Sequence, residues 1–219
     1  MSDKHRFILL AVILSFTAQS QAAGQKIFTD YFEALPIFWD RVYGTGGETL
    51  YCGQRFGKRR NRGINIEHVF PMAWVKKAEG CRSRKHCRNT SRRFNRIEAD
   101  LHNLYPARQD INKARSSLAF AIIPGERRSF GRCDFEIDER QRLVEPRPAS
   151  RGNIARAIFY MHDTYGLNIF RRQGKLLQRW NREDPPDAAE RQRNDRIEKI
   201  QHTRNRFIDN PGAANRLRF

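Results

Sequence analysis

Four cysteines, Cys52, Cys81, Cys87 and Cys133, constrain this 219-residue chain more than any other feature, because its N-terminus reads as an export signal. Met1 to Arg6 carries Lys4 and Arg6; a ten-residue apolar run from Phe7 to Phe16 follows, and then small residues at Ser20, Ala22 and Ala23. Charge, short apolar run and small residues in that order describe a secretory signal peptide over residues 1–22. The run is shorter than the roughly 20 residues that a membrane-spanning helix requires. Cleavage after Ala22 or Ala23 leaves a periplasmic or secreted chain with no membrane segment, whose thiols meet an oxidising compartment and pair. Four cysteines allow three pairings. The favoured one joins Cys81 to Cys87 across a small loop and Cys52 to Cys133 across a large one. The rival use is a zinc site at Cys81, His86 and Cys87, but C-x5-C fits no compact zinc knuckle and only one histidine is near.

The mature part, residues 23–219, has the length of one domain and enough apolar residues, 39% of the chain with 15 Phe and three Trp, to bury a core. Residues 26–43 carry apolar side chains at helical spacing, interrupted by Pro36, and predict one or two helices. Leu50 to Cys52 and Ile64 to Glu67 read as short strands, the second by its alternation. Residues 72–98 are polar, with helix expected over Ser91 to Glu98. Leu101 to Tyr105 reads as an extended piece stopped by Pro106, and residues 107–115 as a short helix. Ser117 to Ile123 and Arg132 to Val144 predict strands, the latter a pair turned around Asp138 to Arg140. From Ser150, a candidate N-cap, the character becomes helical: Ile154, Ala157, Ile158, Met161 and Tyr165 share one face and Gly166 ends it. Two further helices are expected over 171–181 and 187–204. The fold class is therefore α+β, a core of short mixed strands with helices at both ends and a helical C-terminal part from about residue 150.

Charge points to the partner. Lys and Arg number 42 against 24 Asp and Glu, a formal charge of +18, of which removal of Asp3, Lys4 and Arg6 takes one unit. Such an excess concentrates polyanions at the surface and releases their counterions on binding. Arginine dominates it, and the guanidinium forks onto phosphate. The Arg-rich stretches 58–62 and 82–96 are the candidate phosphate contacts, with few aromatics among them to stack on bases.

Hydrolysing a phosphodiester requires a base for water, a divalent cation on a phosphate oxygen and the leaving oxygen, and a cation facing the phosphate. Mg2+ needs only one or two oxygen ligands from the protein. Glu67 and His68 are adjacent, so a regular strand would point them to opposite faces; they serve one site only if the strand ends or kinks, which Pro71 allows.

The segments Glu67 to Pro71 (EHVFP), Glu98 to Pro106 (EADLHNLYP) and Asp110 to Asn112 (DIN) stand in an order that is similar to the endonuclease I family of secreted and periplasmic bacterial nucleases. The flanks agree: YCG at 51–53, RKHC at 84–87, GRCDF at 131–135, RGNIAR at 151–156, ERQRN at 190–194 and RFID at 206–209. Each motif alone is weak and the ordered set, from about Tyr51 to Pro211, is specific. The resemblance implies a ββα-metal (His-Me) finger and an endonuclease that cuts DNA with little sequence preference, leaving 5′-phosphate ends, and leaves open whether RNA is also a substrate. It implies His68 as the general base, Glu67 and Asn112 as ligands of Mg2+ (with Mn2+ or Ca2+ as substitutes), Arg84, fourteen residues before Glu98, on the phosphate, and Glu98 as a supporting acid. Arg59, Arg60 and Arg115 join Arg84 as expected nucleic-acid contacts, and the family suggests a monomer.

Asp100 is read as a partner that orients a ligand, His102 and Asn103 as structural, and His86 as a surface residue. Arg151 and Arg156 fit either DNA contact or support of the helix start. Relatives often read NGDRSN where this chain has Asn112 to Ser117 (NKARSS), which puts a secondary site residue in question, and Arg206 stands where Pro is usual. The competing function is a secreted nucleic-acid-binding protein on an inactive nuclease fold; a basic toxin acting on anionic cell surfaces is a third.

Overall fold

The computed structural model describes residues 24–58, 62–125 and 129–219; the expected signal peptide lies outside them, as do Arg59 and Arg60. Asp30 starts α1 (Tyr31–Ile37) by accepting from the Phe32 and Glu33 amides at 2.7 and 3.2 Å. Pro36 denies the helix one backbone donor, and the chain relaxes into a π turn over Phe38–Val42. Two-residue strands β1 (Gly47–Glu48) and β2 (Arg55–Phe56) follow as an antiparallel pair. Leu50 to Cys52, expected as a strand, is the turn between them, reversed with Gly53 at φ +62°. A short apolar run buried in a turn carries the same sequence signal as a buried strand.

The centre of the molecule is an antiparallel pair, β3 (Ile64–His68) and β4 (Leu104–Arg108), followed directly by α5 (Gln109–Arg115), which packs on both strands. Pro106 does not stop the extended piece. It lies inside β4 opposite Ile66, and its carbonyl accepts from Leu50 N at 2.8 Å on the side away from β3, so its missing N–H removes no bond from the ladder. The first part of the expected strand, Leu101–Asn103, is instead a 3-10 turn capped by Asp100, which accepts from His102 N at 2.9 Å.

Between β3 and β4 run three helices of seven residues each: α2 (Met72–Ala78), α3 (Arg84–Thr90) and α4 (Arg92–Glu98). The first two were not legible in this polar stretch. Their buried apolar side chains are only Met72, Val75 and Cys87, with Trp74 packed partly buried beside them, and Ser83 and Ser91 supply the caps of α3 and α4. A three-stranded sheet of β5 (Ala119–Phe120), β7 (Leu143–Pro146) and β6 (Phe135–Asp138), in that order, closes the other side. The expected hairpin is β6–β7.

The C-terminal part is helical as expected: α6 (Arg151–Tyr165), α7 (Arg171–Glu183), α8 (Ala188–Gln201) and a single turn, α9 (Arg206–Asp209). Gly166, at φ +63°, ends α6 in the left-handed conformation that glycine adopts without strain. Ser150 does not cap α6 with its side chain; its hydroxyl donates to Arg147 O, and the Gly152 amide is met by Asp184 from the end of α7.

Two apolar clusters hold the elements. The larger runs from α2 and α5 through the three-stranded sheet to α6 and α7; the smaller joins α1, β2 and β4 to α8. Both favoured disulfides are present, Cys52–Cys133 and Cys81–Cys87, separated by 81 and 6 residues. The Cys81 and Cys87 sulfurs are thus committed to each other, which removes the zinc alternative. On a chain-entropy account the long bridge alone contributes about 4 kcal/mol.

Candidate active site

One concavity of about 530 Å³ is lined by Glu67, His68, Arg84 and Asn112 together, with Asn65, Lys113 and Ser117. The ββα unit brings them there. His68 is the last residue of β3, where the chain leaves the ladder and is fixed by Asn103, whose side chain accepts from Phe70 N at 2.7 Å and donates to Phe70 O at 3.1 Å. That strand end is what lets the neighbours Glu67 and His68 face one space. It also gives Asn103 the structural role expected of it. Asn112 stands on α5 across β3, its Nδ2 donating to Ile66 O at 3.0 Å and Asn65 Oδ1 at 2.9 Å. With the amide nitrogen so engaged, the carbonyl Oδ1 is the atom that Asn112 offers a ligand.

The His68 ring is oriented from behind. Its Nε2 lies 2.9 Å from the main-chain carbonyl of Glu98. A carbonyl only accepts, so Nε2 carries the proton and the neutral ring keeps its lone pair on Nδ1. Burial, and then the positive charge of Arg84, lower the His68 pKa to about 3, so the ring is neutral at ordinary pH. Tyr31 packs against it, ring centres 5.1 Å apart.

Glu98 is fully buried and does not reach solvent. Its carboxylate holds two arginines: Arg84 through Nε on Oε1, and Arg88 through Nε on Oε2 at 2.7 Å and Nη2 on Oε1 at 2.9 Å. Arg84 remains 44% exposed and lines the concavity, so its guanidinium is anchored at one edge and open at the other. Arg88 was not singled out from the sequence. Its spacing from Arg84, four residues on one helix, is the signal that places both on one face.

Glu67 is buried at the rear. Its Oε1 accepts from Tyr51 Oη at 2.7 Å and from Arg115 Nη1 at 2.8 Å. Burial raises its pKa and Arg115 opposes the rise. Here the structure corrects an expectation. Arg115 is completely buried, donating also to His68 O at 3.2 Å and Val69 O at 2.7 Å and stacking on Phe120, so it cannot touch nucleic acid. It ties Glu67 to the strand end. Tyr51 also went unrecognised as a site residue, although it lies in the YCG segment beside a bridging cysteine.

Asp100 is likewise corrected. Its carboxylate accepts from Tyr160, Tyr165 and Gln201 at 3.0, 2.6 and 2.9 Å and meets none of the residues of the concavity. His102 is structural as expected, its Nε2 donating to Thr203 O at 3.1 Å. His86 is half-exposed. Arg151 and Arg156 support the fold, bonded to Glu145 and Glu190. Arg206, in place of proline, pairs with Asp163 at 2.9 and 2.7 Å. Ser117 lines the concavity, so the position that departs from the family pattern does belong to the site.

Among the described residues no three His, Cys, Asp or Glu side chains converge as a metal cluster. A cation here would rest on the Glu67 carboxylate and the Asn112 carbonyl, two hard oxygens that leave most of an octahedral shell to water and phosphate. That donor set fits Mg2+.

The sequence profile of the family described as Endonuclease I matches residues 32–212. The chain belongs to the endonuclease I family. It is 38% identical to an extracellular deoxyribonuclease of Aeromonas hydrophila, over 92% of this chain and 96% of that protein. A periplasmic deoxyribonuclease of the same organism is 39% identical over 72% of this chain and 69% of its own length. An extracellular ribonuclease of Bacillus subtilis (strain 168) is 32% identical over 54% of this chain and 46% of its own. The endonuclease I protein described here is therefore a nuclease, exported to the periplasm or beyond the cell. Among its described residues no helix is long and apolar enough to cross a membrane.

Proposed function

We propose that this endonuclease hydrolyses DNA, and RNA as a further substrate, with little sequence preference, using a divalent cation of the Mg2+ class and leaving 5′-phosphate ends. The observation that carries the reading is the convergence of a neutral His68, an anchored but open Arg84, and the oxygens of Glu67 and Asn112 on one concavity. The relatives named for DNA and for RNA support the substrate class.

In this reading His68 Nδ1 takes a proton from the attacking water, and the imidazolium that forms is steadied by the Glu98 carbonyl on Nε2–H. A base of this kind contributes roughly 10²- to 10⁴-fold. Arg84, held on Glu98, faces the phosphate and offsets its charge. Glu98 acts on the reaction through Arg84 and His68 and is a positioning residue. Glu67 and Asn112 hold the cation. A cation of the Mg2+ class held there by Glu67 and Asn112 would supply charge stabilisation to the reacting phosphate. Tyr51 and Arg115 keep the Glu67 carboxylate in place.

The test is degradation of plasmid by the oxidised mature protein in Mg2+ and in EDTA, beside His68→Ala. Cleavage should require metal and fall at least about 100-fold in the variant. Plasmid that is bound but stays intact with Mg2+, Mn2+ and Ca2+ would instead identify an inactive, nucleic-acid-binding fold.

A further inference from the structure

A second concavity, about 550 Å³, lies between the edge strand β5 and helix α7. Its floor is firm: Gln173 of α7 accepts from Phe120 N at 2.9 Å and donates to Phe120 O at 3.2 Å, closing the strand edge. Its walls are cationic. Arg172, Lys175 and Arg179 share one face of α7 by their spacing of three and four residues, and Arg142 faces them from the β6–β7 hairpin. Among the described residues no carboxylate lines this groove. The groove beside α8, about 420 Å³, differs, because Glu48, Asp187 and Glu190 balance its arginines. Among the described residues Arg142, Arg172 and Lys175 make no ion pair, and Arg179 reaches Glu183 only at 3.7 Å on the surface.

An apolar ring stands among these charges. Phe170 is 51% exposed and sits at the N-cap of α7, a position that Ser, Thr, Asp or Asn usually fills. It meets Trp74 edge-on, ring centres 6.1 Å apart. Trp74 follows Ala73, which lines the catalytic concavity; at the other margin Ser117 lines that concavity and Ala119 lines the groove, with only Leu118 between. The linings of the two hollows thus come within two residues of each other along the chain at Ser117 and Ala119.

We propose that a nucleic-acid strand leaving the catalytic concavity runs into this groove, its phosphates held by Arg142, Arg172 and Lys175 and a base laid against Phe170. The inference rests on the nuclease reading of the first concavity. Unpaired cations along a concave track with an aromatic platform are the pattern that binds single strands without sequence preference. The nearness of the two linings along the chain at Ser117 and Ala119 favours the substrate over an anionic membrane.

The experiment uses the full mature chain in EDTA, where nothing is cut, and reads the anisotropy of labelled single strands of about 6 and about 20 nucleotides. In the variant Arg142→Gln, Arg172→Gln, Lys175→Gln, affinity for the longer strand should fall at least about tenfold at low salt, with the log–log salt slope reduced by about two. Affinity for the shorter strand should hold. Phe170→Ala should weaken the longer strand with no change in slope. A control carrying Arg41→Gln, Arg191→Gln and Lys199→Gln removes the same charge elsewhere. Equal losses in this control, or on both lengths, would assign the effect to the overall field and overturn the proposal. Loss of binding to phosphatidylglycerol vesicles with strand binding intact would overturn it in favour of a lipid surface. Since binding is read without cleavage, a wild type that cuts nothing would sink the nuclease reading and leave the groove result standing.

Discussion

Glu67 and Glu190 are both buried carboxylates paired with a buried arginine, yet they are held differently. Arg156 grips Glu190 with Nε and Nη2 on separate oxygens, at 2.8 and 2.5 Å, and its Nη1 goes to Asn181 and the Asp184 carbonyl. Arg115 and Tyr51 converge on one oxygen of Glu67, and the carboxylate lines the concavity shared with His68 and Arg84. The buried histidines repeat the contrast. His102 spends Nε2 on Thr203 and its Nδ1 is enclosed without a partner, whereas His68 spends Nε2 on Glu98 and its ring borders the concavity. The same side-chain types thus build a carboxylate gripped through both oxygens and an enclosed ring in one place, and groups presented to a shared concavity at the end of β3 in the other.

The largest effect that tests this contrast comes from removing each arginine. Arg156→Met leaves Glu190 buried and unpaired and should destabilise by about 3–5 kcal/mol. The activity of the molecules that remain folded should be unchanged. Arg115→Met should be comparably unstable in urea titrations and should also lose cleavage at temperatures where it is fully folded. Equal specific activity in the two variants would break the comparison.

A smaller effect sharpens it. Glu67→Gln should reduce cleavage about 100-fold or more, an effect on the scale of lost metal support, with little change in melting temperature. Glu190→Gln should do the reverse.

The smallest is a pH effect. Burial lowers the His102 pKa to about 4, so the folded chain refuses a proton that the unfolded chain accepts near 6.5. Stability from this group is complete above that range and is lost as pH falls from 6.5 towards 4. From pH 7.5 to pH 5 it amounts to about 2 kcal/mol. His102→Gln should flatten that part of the acid limb in urea unfolding; an unchanged limb would mean that His102 is not a buried neutral strut.

Much of this site was legible before the structure. Alternation marked β3, both disulfides follow from the favoured pairing, and the ordered motifs bring Glu67, His68, Arg84 and Asn112 to one concavity. What escaped was decided by contacts distant in sequence. Arg115 looked like a phosphate ligand because an arginine is buried only when a carboxylate meets it, and its partner is 48 residues away. Glu98 looked like an acid in the site, but its side chain faces Arg84 and Arg88 and only its carbonyl reaches His68. Ser150 was a sound local cap, overridden at the Gly152 amide by Asp184 from the end of another helix, 32 residues beyond Gly152. Pro106 would end most strands; it is tolerated because β4 turns its donor side away from β3.

The Cys52–Cys133 bridge closes a covalent ring around the whole ββα unit, since β3, β4 and α5 all lie between its ends. A protease that cuts this ring once releases nothing. The two new ends stay joined through sulfur, and His68, Glu67 and Asn112 remain within one tethered assembly. The proposed site of this exported enzyme therefore stays within one covalent assembly after a single nick.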